Sequence, residues 1–149
     1  ANIKTLLKLC PKGKVQGIDY SAVSVKKARK VNASAIAAGR CAVQQASVAE
    51  LPFDAEQFDV VTAFETVYFW PELAQNFKEV YRVLKPGGTF FICNEANGET
   101  AKDDKWTQII NGMTIYTDAD LKVYLEQAGF GRAQSHKNKK GWLCVTAQK

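Results

Sequence analysis

No apolar run in these 149 residues approaches the roughly 20 that a membrane-spanning helix needs. A secretory leader pattern is also missing from the start of the chain. A cytoplasmic setting with no membrane partner is therefore the expectation. Histidine is almost absent, with His136 alone, and the four cysteines at 10, 41, 93 and 144 form no CxxC pair. Zinc needs several such ligands at close spacing, so no metal site is expected. Three of the cysteines lie in apolar stretches and read as buried free thiols in a reducing compartment. The first residue is Ala1 and not Met, so the start is expected to be processed or truncated.

What the chain does have is ordinary for a globular protein: 46% hydrophobic and 23% charged residues. Its length suits one domain with a substantial core. The net charge is +5, but the basic residues are spread along the chain. Their densest group, Lys137, Lys139 and Lys140, reads as a solvated hairpin tip, with a contact to RNA or DNA as the minority reading.

Helical and strand patterns alternate. Residues 2–10 read as the back of a helix stopped by Pro11 and Gly13. Residues 15–19 (VQGID) form a short buried strand, and Ser21 suits a helix N-cap. Val25, Ala28, Val31, Ala35 and Ile36 recur at helical spacing, and Gly39 stands where a C′ glycine would end that helix. Strands follow at 41–45 and 58–64, the latter (FDVVTAF) apolar enough to be buried on both faces. A helix marked by Leu73, Phe77, Val80 and Leu84 stops at Lys85-Pro86-Gly87-Gly88, with the lysine placed to meet the negative helix end. Residues 89–94 are a further strand, and 96–116 read as an irregular segment that could serve as a lid. Thr117 and Asp120 resemble a capping box opening a helix that ends at Gly129. Two final strands, 131–137 and 142–147, flank a turn at 138–141. Such alternation predicts an α/β fold, a doubly wound, mostly parallel sheet with an antiparallel C-terminal hairpin.

Asp19 ends the first strand, and doubly wound sheets bind ligands beyond the carboxyl ends of their strands. A carboxylate there can accept both hydroxyls of a ribose, or it can simply cap the next helix. In dinucleotide folds the ribose acid lies about 20 residues after a glycine-rich loop. Counting back from Asp19 runs off the start, so that loop and its strand are expected ahead of Ala1.

Four ordered segments then carry a family resemblance. They are VQGIDYS at 15–21, LPF at 51–53 followed by FDVV at 58–61, RVLKPGG at 82–88, and LEQAGF at 125–130. Together they resemble class I S-adenosylmethionine-dependent methyltransferases of the type 11, ubiquinone/menaquinone-biosynthesis-like branch. That resemblance implies one Rossmann-like methyltransferase domain over 1–149, truncated at its N-terminus, acting on a small molecule. S-adenosylmethionine would be the cofactor and S-adenosylhomocysteine the product. In that family the missing strand is central, which implies that the strands at 15–19 and 58–64 lack a shared neighbour and that their edges offer a route to a homodimer.

The same resemblance implies that Asp19 binds the ribose and Tyr20 packs on the adenine. Ser47 would receive the adenine amino group, and Val48 would offer its backbone N–H to a ring nitrogen. Phe64 and Glu65 would line the methionine part. RVLKPGG is expected to be architectural. The residues acting on the acceptor are not assigned; Glu65, Tyr68, Trp70 and Glu95 lie near the active edge. Tyr68, Phe69 and Trp70 read as an aromatic wall or as a seam under the next helix. Three other readings compete: a non-catalytic fragment, an NAD-dependent oxidoreductase for which Asp19 serves equally well, and a nucleic-acid methyltransferase.

Overall fold

A computed structural model describes residues 2–149, with the backbone alone at 101, 102 and 104. The chain divides into two compact units, 1–47 and 48–149.

In the first unit, α1 (Asn2–Leu9) leads into β1 (Val15–Asp19), α2 (Ala22–Val31), α3 (Ala33–Ala37) and β2 (Cys41–Gln45). β1 and β2 pair in parallel, with Asp19 opposite Gln45. Val25, Cys41 and Val43 are buried there, with Ile3, Leu7, Ala28, Ala35 and Ile36 packed against them. Gly17 packs closely here, and a Cβ at that position would come within 2.8 Å of the tip of the Ile3 side chain, which would have to move. Ser21 caps α2 by accepting the Ser24 N–H. The single helix expected behind it is interrupted at Asn32. The buried Asn32 side chain donates to the Ala28 carbonyl, competing for the helix's own acceptors. Gly39 (φ +68°) closes α3 as expected: its N–H bonds Ile36 O, and the Arg40 N–H bonds Ala35 O.

The second unit runs β3 (Phe58–Phe64), a 3-10 turn (Val67–Phe69), α4 (Leu73–Val83), β4 (Leu84–Asn94), α5 (Ala101–Ile109), α6 (Asp118–Gln127), β5 (Gly131–Lys137) and β6 (Leu143–Gln148). Its sheet has the order β3-β4-β6-β5. β3 lies parallel to β4, and β6 runs antiparallel to both β4 and β5. Phe90 on β4 is the hub of the core. It meets Phe77 edge-on at 5.4 Å, stacks with Trp70 at 6.3 Å, and touches Phe130 at 5.8 Å. Leu121 and Leu125 of α6 are fully buried. Thr117 and Asp120 complete the capping box at its start.

Three expectations are corrected. β3 is not buried on both faces: Val60 is 55% exposed, because β3 stands at the end of the strand order with β4 as its neighbour. Lys85 turns away from the helix end, and its ammonium lies 2.8 Å from Asp59 Oδ1. The 96–116 segment contains a helix, α5, whose exposed Trp106 and Ile109 gave no regular apolar stripe to read.

The RVLKPGG segment is structural in a definite way. Phe58 pairs with Leu84 and Val60 with Thr89, so residues 85–88 bulge out of the ladder. Gly88 must be glycine, since a Cβ would sit 2.8 Å from the Lys85 carbonyl oxygen. Arg82 donates to Phe53 O (2.8 Å) and Leu51 O (3.1 Å), while Glu79 accepts the Leu51 N–H (3.0 Å) and pairs with Arg82. The motifs LPF and RVLKPGG are thus joined by hydrogen bonds from the Glu79–Arg82 pair of α4 to the backbone of Leu51 and Phe53.

The hydrogen bond from Arg82 holds the Glu79 carboxyl below its ordinary 4.5. A depressed carboxyl contributes stability that is full above that value and is lost as pH falls through the lower folded one. Glu79→Gln should therefore flatten the loss of stability on acidification from pH 5 downward, read as urea midpoints across pH.

Candidate functional site

At the carboxyl edge of the first unit's sheet, Asp19 and Tyr20 lie beside the end of β2. The Ala46 N–H bonds Asp19 O (3.1 Å), and the Gln45 side-chain amide donates to Tyr20 O (2.9 Å). Ser47 follows directly as an exposed residue. Asp19 Oδ1 accepts the Ser21 N–H at 2.9 Å. The capping and ribose readings are therefore compatible: one oxygen serves the turn, and Oδ2 has no partner among the described residues. Tyr20 is 78% exposed, which rules out a core role and leaves its ring face open. An acceptor oxygen and an open aromatic face at a strand end suit a ribose and a purine.

Val48, Phe64 and Glu65 belong to the second unit. Val48 is half-buried in a turn. Phe64 ends β3 and meets Phe91 edge-on at 5.6 Å. Glu65 follows with φ +56°, an uncommon conformation for a residue with a side chain. The turn brings its carboxylate against the end of β4, where Oε1 accepts the Glu95 N–H at 2.5 Å and the Tyr68 hydroxyl at 3.3 Å. Tyr68 is buried, and its hydroxyl also accepts the Ala96 N–H (2.9 Å) and lies 3.2 Å from Ala96 O. Burial raises the Glu65 carboxyl above its ordinary value, and the Glu95 charge adds to this, while the two hydrogen bonds pull the other way. Burial, followed by the nearby Glu65 charge, raises the Tyr68 phenol and keeps it protonated. Cys93, at the end of β4, has its thiol pushed up to about 12 by burial, with Cys144 Sγ 3.6 Å away.

The aromatic run after β3 divides its labour. Trp70 stacks in the core under α4, so it is seam and not wall. Phe69 is 44% exposed. Sequence reasoning missed Asp103, whose Oδ2 accepts both the Asn97 N–H (3.1 Å) and the Gly98 N–H (2.8 Å). Only the turn dipeptide Asn97-Gly98 with an acid shortly after it could have signalled that clamp. Among the described residues no group of three or more histidines, cysteines or acids could hold a metal.

Parallel and antiparallel strand pairs joined by helices, with an acid ending the first strand, are features of Rossmann-like nucleotide-binding folds. Comparison narrows the class: the methyltransferase domain family matches residues 1–92, and the chain belongs to that family of class I, S-adenosylmethionine-dependent enzymes. A sterol methyltransferase-like protein of Botryococcus braunii is 29% identical over 83% of this chain and 32% of its own length. The ubiquinone/menaquinone biosynthesis C-methyltransferase of Geotalea daltonii is 36% identical over 52% of this chain and 33% of its own. The chain thus spans about a third of the length of these relatives. In fold it is similar to a SAM-dependent methyltransferase from Aquifex aeolicus, with a TM-score of 0.81 and 20% identity, over 98% of this chain and 74% of that one. The oxidoreductase reading of Asp19 is not favoured by these matches.

Asp103 closes the turn that leads out of β4. Asp103→Ala should cost about 1–3 kcal/mol for the buried Asn97 N–H left without its acceptor, and less for the exposed Gly98. Urea unfolding and faster amide exchange at Asn97 and Gly98 would check it.

Proposed function

We propose that the whole protein transfers a methyl group from S-adenosylmethionine to a small apolar acceptor, with S-adenosylhomocysteine as product. The observation that carries the cofactor half is Asp19, a strand-end carboxylate with one oxygen committed to the Ser21 N–H and the other uncommitted. In this reading Asp19 binds the ribose hydroxyls and Tyr20 covers the adenine. Ser47 accepts from the adenine amino group and Val48 donates its N–H to the ring. Phe64 and Glu65 line the methionine part. When bound, the cofactor supplies an electrophilic methyl on a sulfonium; the chain's residues supply placement and exclusion of water.

An apolar acceptor is supported by two things. Phe69 after β3, and Trp106 and Ile109 after β4, present exposed apolar surface on the segments that leave the carboxyl ends of these strands. Similar proteins are named for sterols and for ubiquinone or menaquinone. The positive charge is spread along the chain and not gathered in one stretch, which does not favour a nucleic acid.

The test uses the full-length protein, methyl-tritiated cofactor and a lipid extract. Label should enter the organic phase; label entering RNA or protein instead would sink the acceptor reading. Asp19→Ala should weaken S-adenosylhomocysteine binding about 10–100-fold by calorimetry, the value of charge-assisted hydrogen bonds.

A further inference from the structure

The carboxyl ends of β3 and β4 hold an arrangement that cofactor binding does not use up. Glu65 Oε1 faces two donors, the Glu95 N–H and the Tyr68 hydroxyl, whose single proton it shares with Ala96 O. Oε2 has no partner among the described residues. A carboxylate needed only to close the turn would be complete at that point. Instead the chain holds a non-glycine residue at φ +56°, a conformation that persists only where contacts over-determine it. The two bonds to Oε1 are those contacts, and Tyr68 supplies one of them from a buried position pinned to Ala96.

We propose that Glu65 is the group that takes the proton from the methyl acceptor, and that Tyr68 is the positioning residue that aims it. This rests on the methyltransferase reading above. In the step, an electron pair of the acceptor atom forms the bond to the methyl carbon. The carbon–sulfur bond breaks, and its pair stays on sulfur, converting the sulfonium to a neutral sulfide. The proton carried by the acceptor atom passes to Glu65 Oε2. One positive and one negative charge cancel, and no oxidant or reductant is consumed.

The surroundings suit the role. The titratable groups facing this carboxyl are Tyr68, Glu95 and, on β4, Cys93; Asp103 of α5 acts on Tyr68. Glu65 is exposed overall, but partial desolvation of its carboxyl, with the Glu95 charge adding to it, raises the carboxyl above the ordinary glutamate value and makes it a stronger base.

The experiment follows Glu65 in full-length protein labelled with carboxyl-13C glutamate, its resonance assigned with Glu65→Gln. Tyr68→Phe removes a donor to the carboxylate and should raise the Glu65 midpoint by roughly half to one pH unit. Fluorotyrosine at position 68, a stronger donor of nearly the same shape, should lower it and keeps the test valid where Tyr68→Phe folds poorly. At saturating cofactor, Glu65→Gln should cut label transfer into the lipid extract at least tenfold. Tyr68→Phe should move the acidic limb of that rate upward in step with the midpoint. Midpoints that ignore both Tyr68 changes, or a Glu65→Gln rate equal to wild type, overturn the proposal. Wild-type protein that fails to bind S-adenosylhomocysteine overturns the methyltransferase reading itself, and the two failures are told apart by that binding step.

Discussion

Everything in the larger unit hangs on β4 being paired along both edges while one face is sealed by aromatics. β3 lies on one side of it and β6 on the other, and Phe90 carries Trp70, Phe77 and Phe130. A strand held on both edges and pressed from one face cannot slip by a residue without exposing its apolar set. That fixed register sets where β4 ends, and so where the Glu95 N–H meets the Glu65 carboxylate. The geometry proposed for catalysis therefore inherits its precision from packing further down the same strand.

The ordered motifs are a physical unit more than a signature. LPF and RVLKPGG lie some thirty residues apart in the chain and meet through Arg82 and Glu79. The Arg82 guanidinium makes four hydrogen bonds at once, two to the Glu79 carboxylate and two to carbonyls, more than the three donors of a lysine could supply. Gly88 then passes where no Cβ fits. Such constraints leave a trace that reads clearly without a structure, and they explain why an architectural motif identified the family better than the site residues did.

Most of the order of elements along the chain and the helix termini were legible for similar reasons. Ser21, Gly39 and the Thr117–Asp120 box act on their own neighbours, so their chemistry is written locally. The errors arose where the deciding partner was distant. The apolar run in β3 looked doubly buried because periodicity does not say which strands flank it. Asn32 broke a helix whose apolar spacing continued past it, and α5 had too little apolar periodicity to stand out. At the site, Asp19 was legible from its place at a strand end, while the Tyr68 strut was not. Its hydroxyl acts on Ala96, a partner 28 positions away, and an aromatic run by itself reads equally well as wall or seam.

The division of the three tryptophans gives the molecule its own set of optical reporters. Trp70 lies flat against Phe90 in the core, and Trp106 stands on the exposed side of α5. Trp142, at the terminal hairpin, has the Lys140 ammonium 5.2 Å from its ring centre. Indole emission depends on local polarity and nearby charge, so each ring samples a different environment. Loss of the core, movement of the helix after β4 and fraying of the hairpin therefore carry separate spectral signatures, without any label being added.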